Sequence, residues 1–222
     1  MRDIAILFDL DGTLLDTLED LADATNHIME QFGFPKRTLE EVRRFVGNGA
    51  MRLIVQAIPE DASPQVAEEA FQAFQSYYRA NCQHKTRPYE GIPEVLERLK
   101  GKGYPMAIVS NKPDAAVQPL RDQYFPGLYA QGELPDCPRK PAPDMVFRAA
   151  KVLGVAPENC IYVGDSEVDV ITARNAGMEC ISVLWGFRDE EEIREAGGEH
   201  FCTAPVEIPE KVRMLEEMIH GK

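Results

Sequence analysis

The sequence predicts an α/β fold: a parallel sheet core flanked by helices, with an α-helical domain inserted near its start. Apolar runs of strand length alternate with runs of helical periodicity along most of the 222 residues. Charged or hydroxyl residues stand at the ends of several strand-like runs. The alternation breaks once, early, in a long segment whose apolar residues recur at helical spacing.

The apolar run 4–8 reads as the first, buried strand and delivers Asp9 and Asp11, one residue apart. Side chains alternate faces along a strand, so both carboxylates point the same way. Burying two unpaired carboxylates is costly unless a cation sits beside them. The pair therefore points to a metal, a reaction, or both.

About 100 residues separate this strand from the next, where a βαβ crossover needs ~30. In the excess, Leu18, Leu21, Thr25, Ile28, Met29 and Phe32 fall at helical spacing, and Thr17 with Asp20 resembles a capping box. Gly33 stops that helix. Thr38 and Glu41 cap a second, which Gly47-Asn48-Gly49 ends. Ser63-Pro64 opens a third, reaching about Cys82. These helices predict a separate domain at 16–88, leaving an α/β core at 1–15 and 89–222, with hinges near 14–17 and 86–89. Later strands are predicted at 105–109, 160–163, 179–184 and, more weakly, 200–202, with a short one near 128–130. Helices are predicted at 93–100, 114–123, 144–153, 167–176, 190–196 and 207–219. The core is thus Rossmann-like.

Composition narrows the function. A net charge of −13 argues against nucleic acid and anionic membranes, which need a positive footprint. No apolar stretch approaches the ~18 residues that span a bilayer. The start runs straight into a strand without a signal peptide's apolar segment, so a cytoplasmic protein is expected. The five cysteines are scattered, with no Cys-x-x-Cys pair, and no zinc site is expected. Cys160 and Cys180 read as small core residues. A monomer or dimer is expected.

In an open parallel sheet, ligands bind beyond the carboxyl ends of the strands. Four patches are predicted at that edge: Asp9-x-Asp11-Gly12-Thr13, Ser110-Asn111-Lys112, Lys140-Pro141, and Gly164-Asp165-Ser166 with Asp169. Alone, each has a plain reading, such as a turn for Asp11-Gly12 or a helix cap for Asp165. Together, in this order and spacing, they resemble the four motifs of the haloacid dehalogenase superfamily of phosphotransferases, over essentially the whole chain. The insertion looks like that family's helical cap domain. Phe45-Val46-Gly47-Asn48-Gly49, Ser110-Asn111-Lys112-Pro113 and Trp185-Gly186-Phe187 are similar to its phosphoglycolate phosphatase-like branch.

The resemblance implies a phosphatase acting on a small phosphorylated metabolite, with 2-phosphoglycolate the leading candidate. Asp9 would attack phosphorus, and Asp11 would protonate the leaving oxygen and later deprotonate water. Mg²⁺ would be held by Asp9, the main-chain carbonyl of Asp11, and Asp165. Ser110 and Lys140 would hold the phosphoryl group, with Thr13, the backbone around Gly12, and Asn111 as further donors. Asp169 would orient Lys140 or a metal-bound water. From the cap, Gly47 and Asn48 would lay backbone over the substrate, and Arg52, Arg43 or Arg44 would meet a substrate carboxylate. A pyrophosphatase, a sugar-phosphate phosphatase and a phosphomutase share all four motifs and stay open. A catalytically silent binding module is opposed by the intact acids and Lys140.

Overall fold

The structure, a computed structural model, describes residues 3–221. The chain begins with β1 (Ala5–Phe8) and the two-residue β2 (Leu15–Asp16). Four helices follow: α1 (Leu18–Gln31), α2 (Leu39–Phe45), α3 (Ala50–Ala57) and α4 (Pro64–Asn81). The two-residue β3 (Arg87–Pro88) then pairs antiparallel with β2. Beyond it the chain alternates through α5 (Ile92–Gly101), β4 (Met106–Pro113), α6 (Asp114–Tyr124), β5 (Tyr129–Glu133), α7 (Asp144–Leu153) and β6 (Cys160–Gly164). It finishes with α8 (Glu167–Ala176), β7 (Glu179–Val183), α9 (Glu190–Glu195), β8 (His200–Cys202) and α10 (Ile208–His220).

Six strands form one sheet in the order β5-β4-β1-β6-β7-β8, every pair parallel. From the central β1 the chain winds outward to β5, then crosses back to β6 and winds the other way. The reversal of winding makes the carboxyl end of β1 a topological switch point, and Asp9 is the next residue. Strand alternation explains the two cores. Ile6 and Phe8 enter one cluster with α5, α6 and α10. Ala5 and Leu7 enter the opposite cluster with α7 and α8. Burying an aliphatic side chain of this size contributes on the order of 1.5–3 kcal/mol, so both faces of β1 select apolar residues up to Asp9.

The helices α1–α4 share a third cluster, built on Ile28, Met29, Val42, Leu53, Ile54, Phe74 and Tyr78. Phe187, from the loop after β7, joins it. No helix among the described residues is long and apolar enough to cross a membrane. All five cysteines are free.

The structure departs from the sequence reading in four places. First, α3 was not expected, because Gly47-Asn48-Gly49 reads as a stop. Gly49, at φ 85°, instead caps a new helix whose Leu53, Ile54 and Ala57 are buried. Second, the β2–β3 ribbon is too short to leave a periodic trace. Third, β4 runs to Pro113, with its register against β5 shifting after Val109, so Ser110, Asn111 and Lys112 lie within the strand. Fourth, the Thr17–Asp20 capping box does not form. Thr17 has φ −110° and ψ 0°, outside the extended region an N-cap requires. Asp20 accepts from Thr86 N at 2.8 Å and Lys85 N at 3.0 Å instead, tying the insertion's exit to its entry helix. The Thr38–Glu41 box forms as expected, with Glu41 N donating to Thr38 Oγ1 and Thr38 N to Glu41 Oε2.

Replacing Asp20 with Ala strands the Thr86 and Lys85 amides. Urea unfolding is expected to show Asp20→Ala destabilised by about 1–3 kcal/mol. A stability equal to wild type would mean those amides find water without cost.

Candidate active site

Asp9 extends β1 by one residue, its N–H donating to Val163 O at 2.9 Å. The chain then turns sharply, with Leu14 N and Leu15 N both donating to Leu10 O. Gly12 sits in this turn at φ +82°, and a Cβ there would stand 2.4 Å from Asp165 Oδ2. A Cβ on Gly186 would meet Asp165 Cβ at 2.3 Å, and one on Gly164 would meet Asp169 Cγ at 2.3 Å. Three glycines thus make the room that lets the acids from β1 and β6 crowd together.

Oxygens of Asp9, Asp165 and Asp169 lie within 4.8 Å of one another, all three residues buried. Lys140 Nζ sits among them, 2.9 Å from Asp9 Oδ1 and 2.7 Å from Asp169 Oδ1, and donates to Tyr162 Oη at 2.9 Å. Apart from this ion pair, Asp9 Oδ1 is a buried oxygen with no hydrogen-bond partner. Asp169 is fully engaged: Oδ1 takes Lys140, and Oδ2 takes Ser166 N and Ser166 Oγ. Asp165 accepts one bond per oxygen, from Thr13 Oγ1 at 3.0 Å and Phe187 N at 2.7 Å. Ser166, not Asp165, caps α8.

Burial and like charge govern the titration here. Burial pushes Asp9 up to about 7, with Lys140 opposing and Asp169 and Asp11 adding to the rise. Burial likewise lifts Asp165 to about 8, helped by Asp169 and Asp9. Burial disfavours the Lys140 ammonium, but Asp169 and Asp9 outweigh it and hold Lys140 well above its ordinary value. Three carboxylates share one lysine, and Asp9 and Asp165 retain acceptor capacity. An oxygen-only donor set short of positive charge suits a hard divalent cation such as Mg²⁺. Asp9 and Asp165 would hold it, with Asp169 fixed behind them.

A cavity of about 300 Å³ opens in front of the acids. Asp9, Asp11, Ser110, Asn111, Lys112 and Asp165 form its core side. Leu21, Val46, Leu53 and Phe74, from the α1–α4 segment, form the facing side, with Gly47 and Gly49. Ser110 Oγ accepts from Lys112 N at 3.3 Å, and its own proton has no partner among the described residues. Several expected donors are spent elsewhere. Thr13 is fully buried and its hydroxyl goes to Asp165, not to the cavity. Asn111 braces the site: Oδ1 accepts from Lys140 N at 2.8 Å, and Nδ2 donates to Lys140 O and Gly47 O. Asn48 and Arg52 are not on the cavity wall. Arg52 precedes the inward Leu53, and consecutive helical residues point about 100° apart. Arg43 pairs with Asp189 at 3.0 Å and Arg44 with Glu40 at 3.1 Å.

Two cations escaped sequence reasoning. Lys112 is buried, its Nζ 2.9 Å from Asp11 Oδ1 and donating to Tyr78 Oη at 2.6 Å. Being two residues from Ser110 on β4, it carried a signal: strand alternation puts such residues on one face. Arg188 is also buried. It donates to Glu167 Oε2 at 3.0 Å and to the carbonyls of Arg43, Arg44 and Val46, closing the end of α2 from the core. No local pattern announces that reach.

The chain belongs to the haloacid dehalogenase-like hydrolases, whose family profile matches residues 6–183. Within them it is a phosphoric monoester hydrolase of the phosphoglycolate phosphatase-like kind. It is 33% identical to the phosphoglycolate phosphatase of Nitrosococcus oceani over 212 residues, covering 91% of this chain and 93% of that protein. It is 34% identical to phosphoglycolate phosphatase 1 of Pseudomonas aeruginosa over 200 residues, covering 86% and 72%. The crystal structure of a provisionally named phosphoglycolate phosphatase from Lactobacillus delbrueckii subsp. bulgaricus superposes with a TM-score of 0.90 at 37% identity, covering 96% of this chain and 99% of that one.

Gly186→Ala is expected to displace Asp165 and weaken Mg²⁺ binding by about tenfold or more in calorimetry, with cooperative unfolding retained. Unchanged affinity would remove Asp165 from the cation site.

Proposed function

We propose that the chain is a Mg²⁺-dependent phosphatase that hydrolyses a small phosphomonoester, 2-phosphoglycolate first, through an aspartyl-phosphate on Asp9. The observation that carries this is Asp9: a carboxylate on the wall of a cavity, paired with the Lys140 ammonium at 2.9 Å and crowded by Asp165 and Asp169. At about 300 Å³ that cavity is at the small end for ligand pockets, which suits a small ester. The relatives named phosphoglycolate phosphatase favour that substrate over pyrophosphate or a sugar phosphate.

In this reading Asp9 attacks phosphorus as the bond to the ester oxygen breaks, and Asp11 gives that oxygen its proton. Water then attacks the phosphoaspartate, Asp11 takes the water's proton, and phosphate leaves Asp9. Ser110 donates its unspent proton to the phosphoryl group, and Lys140 offsets its charge from behind Asp9. Bound Mg²⁺ would neutralise negative charge shared by the carboxylates and the phosphoryl oxygens. Asp169 keeps Lys140 in place. Residues 16–88 act as the cap whose apolar wall excludes water.

Phosphate release from a panel of phosphomonoesters tests this directly. Asp9→Asn is expected to lower kcat by on the order of 10³-fold or more with the fold intact, and turnover near wild type would reject Asp9 as nucleophile. EDTA should stop the reaction and Mg²⁺ restore it.

A pH experiment needs no substrate. Asp9 rises in the fold from an ordinary 3.8 to about 7, and Asp165 from 3.8 to about 8. Between those limits the folded chain binds more protons than the unfolded one. Stability without metal is therefore present at low pH and is lost as pH climbs from about 4 toward 8. Saturating Mg²⁺ should flatten that decline in urea titrations. A decline unaffected by Mg²⁺ would detach these two acids from the cation.

A further inference from the structure

We propose that Lys112 reads the substrate's carboxylate and so sets specificity; this rests on the phosphoglycolate reading above. Of the cations beside these acids and their cavity among the described residues, two are committed elsewhere and one is exposed to solvent. Lys140 shares its ammonium among Asp9, Asp169 and Tyr162 and is not on the cavity wall. Arg188 spends its guanidinium on Glu167 and three carbonyls of the α2 end. Arg79 lines the cavity but is solvent-exposed, where water screens it. Lys112 lines the cavity with a side chain only 3% exposed.

An ammonium has three protons to donate. The two oxygens of the Asp11 carboxyl group, 2.9 and 3.2 Å away, lie in nearly one direction from Nζ and share one forked proton, and a second proton goes to Tyr78 Oη. The third is unspent. Tyr78 is on α4 and stacks on Phe74 with centroids 5.3 Å apart, so the cap holds the ammonium in place.

Substrate chemistry then selects Lys112. In 2-phosphoglycolate one methylene separates the ester oxygen from the carboxylate. Whichever group protonates the ester oxygen is therefore within one contact of the carboxylate. Lys112 hydrogen-bonds Asp11, the residue assigned that protonation. A carboxylate entering a water-excluded cavity needs a buried cation, and this one has a donor ready. A neutral ester of equal size leaves that donor unpaired, which is a stronger discriminator than shape.

The test compares kcat/KM for 2-phosphoglycolate and for ethyl phosphate, the ester in which a neutral methyl replaces the carboxylate, with Mg²⁺ present. Wild type should favour the carboxylate by on the order of 10- to 100-fold. Lys112→Met should lose most of that preference, its fall on 2-phosphoglycolate exceeding its fall on the neutral ester, chiefly through KM. Lys112→Gln keeps hydrogen bonds toward Asp11 and Tyr78 without the charge, and should lose the preference too even where the methionine variant fails to fold. Equal falls on both esters would show that Lys112 serves Asp11 alone and overturn the proposal. Wild type that cleaves the neutral ester as well as 2-phosphoglycolate overturns it without any variant. Wild type that cleaves no phosphomonoester would instead sink the phosphatase reading.

Discussion

Mutual repulsion among three buried carboxylates is the constraint around which this molecule is arranged. Asp9 and Asp165 converge from two adjacent strand ends and Asp169 from the first turn of α8, and among the described residues Lys140 is the single ammonium placed between them. Such a cluster is costly in an apolar interior: burial first, and the neighbouring acids after it, push Asp9 and Asp165 upward. It persists because each neighbour is spent on it. Thr13 and the Phe187 amide hold Asp165, Ser166 holds Asp169, and Asn111 grips Lys140 by both of its backbone polar groups. Residues that look like substrate donors in the sequence are here the scaffolding of the charges.

The same economy ties the two halves together. The loop after β7 places the Phe187 amide on Asp165 while sending the Phe187 ring into the cluster formed by α1–α4. Its next residue, Arg188, completes the α2 end. From the other side, Tyr78 of α4 reaches Lys112 on β4, which in turn holds Asp11. The positions of the acids and of the helical insertion are consequently linked by short, direct contacts.

Much of this was legible in the chain because it depends on local pattern. The β1 run, the spacing of Asp9 and Asp11, and the helices 144–153 and 167–176 follow from periodicity and capping, and the structure reproduces those two helices residue for residue. What escaped depends on distance. Asp20 is set up as a local cap, yet its partners are 65 and 66 positions away. Arg188 acts across some 140 positions, and no pattern short of the folded chain joins it to α2. For Arg52 the angular position on α3 decides which way its charge faces, and the sequence does not mark that helix. Lys112 lies two residues beyond Ser110, past the end of the apolar run, so the sequence does not mark it as part of β4.

The paired ribbon of β2 and β3 carries a consequence for how such a protein changes over generations. The inserted segment departs and rejoins through adjacent backbone, with Tyr89 N donating to Leu14 O at 3.1 Å. A graft whose ends already touch adds little chain entropy to close and leaves the parent sheet's register alone. The helical insertion can therefore be lengthened, trimmed or exchanged with little disturbance to the strand ends that carry the acids.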